Sequence, residues 1–268
     1  MKFTEKLAIC YMCCGPTYRK TALEKLSNLY FDHPNLYYCI LTDDKSYFKD
    51  LKRENLIVNE LKDFYSEYPE IEIYEPFLES ESVEDYAKKF IEQNYKFPFS
   101  TTRFHLLQAK QFNVHNVAML CTDADLNFDE ITDEIFQSKN TLYNYVSQWY
   151  KSITEENMTL VADILKEKYN LYPKEQVLVF DAAFRLFTFD SIGKMDQFFN
   201  VWNDVVLTLY REDKIKAFGG WYAVNEEYII APIYDVMGIK PPFDLDRYVR
   251  LCNLKHNPQE ERFWLYNK

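Results

Sequence analysis

Apolar residues along this chain gather in two kinds of run. Leu7 to Cys14 (LAICYMCC), Leu36 to Thr42 (LYYCILT) and Val117 to Cys121 (VAMLC) are continuous, without polar alternation. Continuous hydrophobicity of that length suits a strand covered on both faces, the habit of parallel sheets. Between the first two, Ala22, Leu23, Leu26 and Leu29 mark one stripe of a helix over Thr17 to Tyr30. Strand, helix and strand in that order predict a right-handed βαβ unit and a largely parallel sheet. Further on, the pattern predicts a short strand near Ile57 and a helix from Ser82 to Tyr95 with Tyr86, Phe90 and Ile91 inward. Another helix is expected from Thr102 to Phe112, capped by Ser100 or Thr101. Residues 130–176 read as helical and polar, and Val177 to Phe180 and Phe184 to Phe189 as strands on either side of Asp181. Met195 to Tyr210 is amphipathic, with Phe198, Phe199, Trp202, Val205, Val206 and Leu209 as its apolar set. A last apolar helix covers Glu226 to Met237, and the tail beyond it is polar. With no repeat, low-complexity tract or linker, the expectation is one α/β domain over 1–268, a mostly parallel twisted sheet flanked by helices.

Composition removes several function classes. Only 5 glycines occur, and neither G-x-x-x-x-G-K-[ST] nor G-x-G-x-x-G is present, so phosphate binding through a glycine-rich loop loses its support. A net charge of −11 argues against a broad basic surface for nucleic acid or anionic membrane. The first apolar run is too short to span a bilayer and ends in Cys-Cys-Gly-Pro rather than a small-residue cleavage site. A cytoplasmic protein with no membrane span, its 6 cysteines reduced, is the resulting expectation. Cys10-x2-Cys13 and Cys252-x3-His256 have zinc-ligand spacings, yet on one strand Cys10 and Cys13 point to opposite faces. Most of the 22 Tyr and 21 Phe fall at core periodicity, with Tyr18, Trp221 and Tyr222 as exceptions.

The most informative chemistry is Asp123-Ala-Asp125, directly after the third buried run. Residues two apart on an extended segment point the same way, roughly 6 to 7 Å apart. Two hard carboxylates at a strand end suit Mn²⁺ or Mg²⁺, leaving other coordination positions for water and phosphate oxygens. Leu126 and Phe128 behind them are placed to anchor the turn. A rival reading uses the same stretch, because Asp123, Asp125, Asn127, Asp129 and Glu134 fall at positions 1, 3, 5, 7 and 12 of a calcium loop. Position 6, where that loop needs Gly, is Phe128. A calcium-binding module over 123–134 therefore stands as the alternative of another class, beside a simple solvated loop.

Several segments together resemble the GT-A glycosyltransferases, the DxD-containing transferases that use nucleotide sugars. Arg103-Phe-His-Leu-Leu-Gln-Ala-Lys followed by Val-Ala-Met-Leu-Cys-Thr-Asp123-Ala-Asp125-Leu is similar to their Arg-bearing helix and metal-binding strand end. Gly15-Pro16-Thr17-Tyr18-Arg19 and Thr42-Asp43 resemble the nucleotide-binding half, here 1–130. Phe180-Asp-Ala-Ala-Phe-Arg185-Leu-Phe, Trp202 and Phe218-Gly-Gly-Trp221 with Asn225-Glu226-Glu227 resemble the acceptor half, 131–268. Tyr-Ala-Val separates that Trp from the acids, a departure from the pattern.

The resemblance implies transfer of a sugar from a nucleotide-diphosphate donor, a UDP-sugar by analogy, to a glycan or other acceptor hydroxyl. Asp123 and Asp125 would hold the metal against the diphosphate, with His256 completing the shell. Thr17, Tyr18, Arg19, Asp43 and Arg103 would line the donor site, Tyr18 stacking on the base. Glu227, or else Glu226, would be the general base of an inverting reaction, with one of the two facing the cleft and the other solvated; Asp181 is the acid of a retaining scheme. The same chemistry on hydroxymethylated DNA bases, as in phage-type enzymes, is an alternative that the acidic charge disfavours. A nucleotidyltransferase would share the sheet and the acids but lacks its Gly-rich loop here.

Overall fold

The computed structural model describes residues 3–28, 33–71, 106–120, 124–144, 148–155, 157–180, 184–218, 225–241 and 251–254. Its centre is a six-stranded sheet in the order β3-β2-β1-β4-β9-β6. The strands are β1 (Leu7–Cys13), β2 (Leu36–Thr42), β3 (Leu56–Glu60), β4 (Asn116–Leu120), β6 (Thr141–Asn144) and β9 (Phe184–Thr188). β1 pairs in parallel with β2 (Leu7 opposite Leu36) and with β4 (Ala8 opposite Val117), and β2 pairs in parallel with β3. β9 runs antiparallel between β4 and β6. Two ribbons stand apart: β5 (Ala124–Leu126) with β10 (Cys252–Leu254), and β7 (Gln148–Ser152) with β8 (Gln176–Phe180).

The continuous apolar runs are buried on both faces, as their pattern predicts. Leu7, Ile9, Tyr11 and Cys13 enter one core cluster while Ala8 and Cys10 enter the other, because successive side chains alternate across a strand. Cys10 and Cys13 therefore face opposite ways, as expected, and do not form half of a zinc site. The first cluster is covered by α1 (Pro16–Asn28), through Ala22 and Leu26, and by α3 (Asp133–Gln137), through Ile135 and Phe136. The second lies under α2 (Leu61–Glu67), α4 (Met158–Tyr169), α5 (Ile192–Arg211) and α6 (Asn225–Met237). Its centre is aromatic: Phe187, Phe189, Phe198, Phe199, Trp202 and Tyr234 meet edge-on or stacked, with Phe198 and Phe199 centroids 5.3 Å apart. Ser191 caps α5 by accepting from the Lys194 amide at 3.2 Å.

Three expectations need correction or limits. Residues 130–176 are not simply helical, since β6 and β7 lie among them. Both strands are short, and β6 mixes Thr and Asn with Leu142 and Tyr143; its burial comes from pairing with β9, far along the chain. Leu107–Phe112 forms a 3₁₀ turn rather than the end of an α-helix, stopped by Asn113 in the left-handed region at φ 57°. The helix expected at Ser82 to Tyr95, and residues 101–105 of the next, lie outside the described residues. Among the described residues no helix is long and apolar enough to cross a membrane.

Candidate functional site

Strand order reverses between β1 and β4: the chain runs outward from β1 through β2 to β3 and then returns to β1's other side. In open α/β sheets ligands bind beyond the carboxyl ends of the strands at such a point. Gly15 lies just past the end of β1, with φ 90° making the turn, and Pro16 opens α1 with its φ already suited to a helix. Beside it, β2 ends and delivers Asp43. The Asp43 carboxylate accepts from the Gly15 amide at 3.0 Å and pairs with Arg19 at 2.6 Å. The Arg19 guanidinium also lies 5.6 Å from the centre of the Tyr47 ring. Burial works against its charge, yet the bond and charge of Asp43, with Asp44 behind it, hold its pKa above the ordinary value. Burial, helped by Asp43, pushes the Cys14 thiol up to about 12, so it stays protonated and is no nucleophile at neutral pH. Of the donor-site expectations, Arg19 and Asp43 are thus brought together, Tyr18 lies half-buried against the α1-side core, and Thr17 is described only as backbone in α1. The pairing was readable in principle, because neighbouring parallel strands bring their carboxyl ends side by side.

Asp125 sits on β5, just beyond β4, where Leu126 is buried in the α1-side core and Phe128 packs against it, as expected of anchors. Its carboxylate carries a cation: the Lys25 ammonium of α1 lies 2.9 Å from Oδ1, with 9% and 18% of the two side chains exposed. Lys25 also stands 5.9 Å from the centre of the Tyr11 ring. As it stands Asp125 is a salt-bridge partner of Lys25, and of the expected metal ligands it is the one that lies among the described residues. Asp123, Arg103, Asp181 and His256 lie outside the described residues. Among the described residues no three His, Cys, Asp or Glu side chains cluster closely enough to hold a metal. The helix–loop–helix of a calcium site is not formed, because strand β4 leads into the segment and β5 occupies its early positions. Near its end, Asp133 is engaged elsewhere, accepting from the Thr4 amide at 2.6 Å and the Thr4 hydroxyl at 3.0 Å.

Across the sheet, the first turn of α6 carries Glu226 and Glu227. The expectation that one of them is solvated is wrong: both are buried, at 7% and 4% exposure. The reason is Arg185, a residue that sequence reasoning did not single out as a partner. It lies on β9 opposite Met119 of β4, is fully buried, and forms an ion pair with Glu226 while donating to the Phe180 carbonyl at 3.3 Å. A charge within Phe184-Arg-Leu-Phe-Thr-Phe was the available signal, since an arginine in an apolar strand requires a buried partner. Burial alone would lower the Arg185 pKa, but Tyr234, Glu226 and Glu227 around it outweigh that and raise it. Burial likewise raises the Tyr234 phenol, which stays neutral despite the opposing pull of Arg185. The Tyr234 hydroxyl and Arg185 Nε have no hydrogen-bond partner among the described residues.

No family model matches this chain, and no curated protein sequence is similar to it.

Proposed function

We propose that this chain is a metal-dependent GT-A glycosyltransferase that moves a sugar from a nucleotide-diphosphate donor, a UDP-sugar, to an acceptor hydroxyl on a glycan. The observation that carries the reading is the position of Asp125 on β5, shortly after β4 and paired with Lys25 of α1, on a strand whose partner is β10. The register sets Asn253 opposite Asp125, and His256 follows β10 by two residues. The β5–β10 pairing brings the backbone of Cys252–Leu254 beside Asp125, and this supports a site shared between the motif and the tail.

In this reading Arg19 and Asp43 order the donor end of the crevice, with Thr17, Tyr18 and Arg103 completing it. Asp123, Asp125 and His256 would hold Mn²⁺ or Mg²⁺, which when bound neutralises the charge gathering on the departing diphosphate. Glu227 takes the acceptor proton from a position where burial excludes water, while Arg185 keeps Glu226 in place beside it. The acceptor is a sugar hydroxyl rather than DNA, because a net charge of −11 gives little attraction for phosphate.

A thermal-shift panel of nucleotide sugars with and without Mn²⁺ tests the assignment. One donor should raise the melting temperature only with metal, by an amount equivalent to about 2.7 kcal/mol at a hundredfold excess over Kd. Asp125→Ala should abolish that shift, and its apo melting temperature should also fall, because Lys25 loses its partner. No shift with any donor would defeat the proposal.

A further inference from the structure

Beyond the carboxyl end of β2, on the side of the sheet where open α/β folds take their ligands, the chain makes a 3₁₀ turn over Lys45–Phe48. The turn is held at both ends. Asp44 caps it, accepting from the Ser46 amide at 3.0 Å and the Ser46 hydroxyl at 2.6 Å, and Phe48 anchors it in the α1-side core. Between them Tyr47 keeps 38% of its surface exposed. Its ring is oriented by two neighbours. The Arg19 guanidinium, held by Asp43 at 2.6 Å, stands 5.6 Å from the ring centre, and Phe48 meets the ring edge-on with centroids 5.6 Å apart. A fixed and partly open aromatic surface therefore lies beside the Arg19–Asp43 pair. Tyr18, by contrast, is half-buried and packs against the α1-side core.

We infer that the base of the nucleotide donor stacks on Tyr47, so that Tyr47 rather than Tyr18 recognises it. The inference rests on the proposed function and names the residue that reads the donor's base. Local charge favours a base over a phosphate here. Arg19 is already paired with Asp43, and Asp44 adds a second carboxylate beside the turn. A neutral heterocycle offers a face to the tyrosine and N–H donors to acceptor oxygens, whereas a phosphate would meet like charge.

Calorimetric titration of UDP into the full chain with Mn²⁺ present tests this. Tyr47→Ala should bind UDP about tenfold more weakly, as expected for the loss of one base–aromatic stack. Tyr47→Phe keeps the ring and should stay near wild type. Inorganic pyrophosphate, which has no base, should bind wild type and Tyr47→Ala alike, and the melting temperature should change little because the side chain is exposed. In the nuclear magnetic resonance spectrum, the uracil ring protons should shift upfield on binding wild type and Tyr47→Phe but not Tyr47→Ala. Equal UDP affinity of wild type and Tyr47→Ala would overturn the stacking and leave the proposed function standing. Equal weakening of UDP and pyrophosphate would also overturn it, since the tyrosine would then act on the diphosphate end. A loss confined to UDP-glucose, with UDP unaffected, would place the sugar on the ring and overturn it too. Absence of UDP binding by the wild-type protein would overturn both readings.

Discussion

The two sides of the sheet hold charge in opposite ways. Around α1, Arg19–Asp43 and Lys25–Asp125 keep 9–18% of their side chains exposed and lie at or just beyond strand ends. Under α6, Arg185–Glu226 is 0% and 6% exposed and sits beside Tyr234, part of the aromatic core of Phe187 and Phe198. Water can replace a partner in the first two pairs, so a ligand's charge can take over at modest cost. In the third pair neither charge can lose its partner without a large desolvation penalty. The α1 side can therefore exchange charge partners at lower cost than the α6 side, whose pair is locked in place.

Breaking the buried pair is the harshest test of that contrast. Arg185→Met leaves Glu226 as an uncompensated buried charge and should cost about 3–5 kcal/mol in urea unfolding, most of it recovered in Arg185→Met/Glu226→Met. Equal losses in single and double variants would show that the arginine matters by packing alone. Arg19→Met, on the α1 side, should cost less and, under the proposed function, chiefly weaken donor-dependent thermal stabilisation. A smaller effect follows from pH. Burial lowers the pKa of His33 and His115 below the ordinary 6.5, so the unfolded chain takes up protons that the folded one resists. Their contribution is complete above pH 6.5 and falls as pH drops below it, and His115→Gln should flatten the stability profile below pH 6.5. The smallest change is expected from Tyr234→Phe. Removing a buried hydroxyl with no partner among the described residues should be neutral or stabilise by up to about 1 kcal/mol. A clear loss would mean that this hydroxyl serves the ion cluster.

Much of the N-terminal half was legible in the chain itself. Unbroken apolar runs become doubly covered parallel strands, and Leu36 to Thr42 matches β2 residue for residue. Gly15-Pro16 marks the turn into α1 because local backbone chemistry decides it. The apolar stripes of α5 and α6 were equally plain, since a helix repeats every 3.6 residues whatever it packs against. What eluded sequence reading depends on partners distant in the chain. β6 gains its place from β9, about forty residues later, and Glu226 is buried because Arg185 arrives beneath it. Lys25 looks like an ordinary surface lysine until β5 brings Asp125 to it. Periodicity and turn chemistry act over a few residues and can be read from order alone. Charge pairing and short-strand pairing are decided by which surfaces meet, and only the folded chain specifies that.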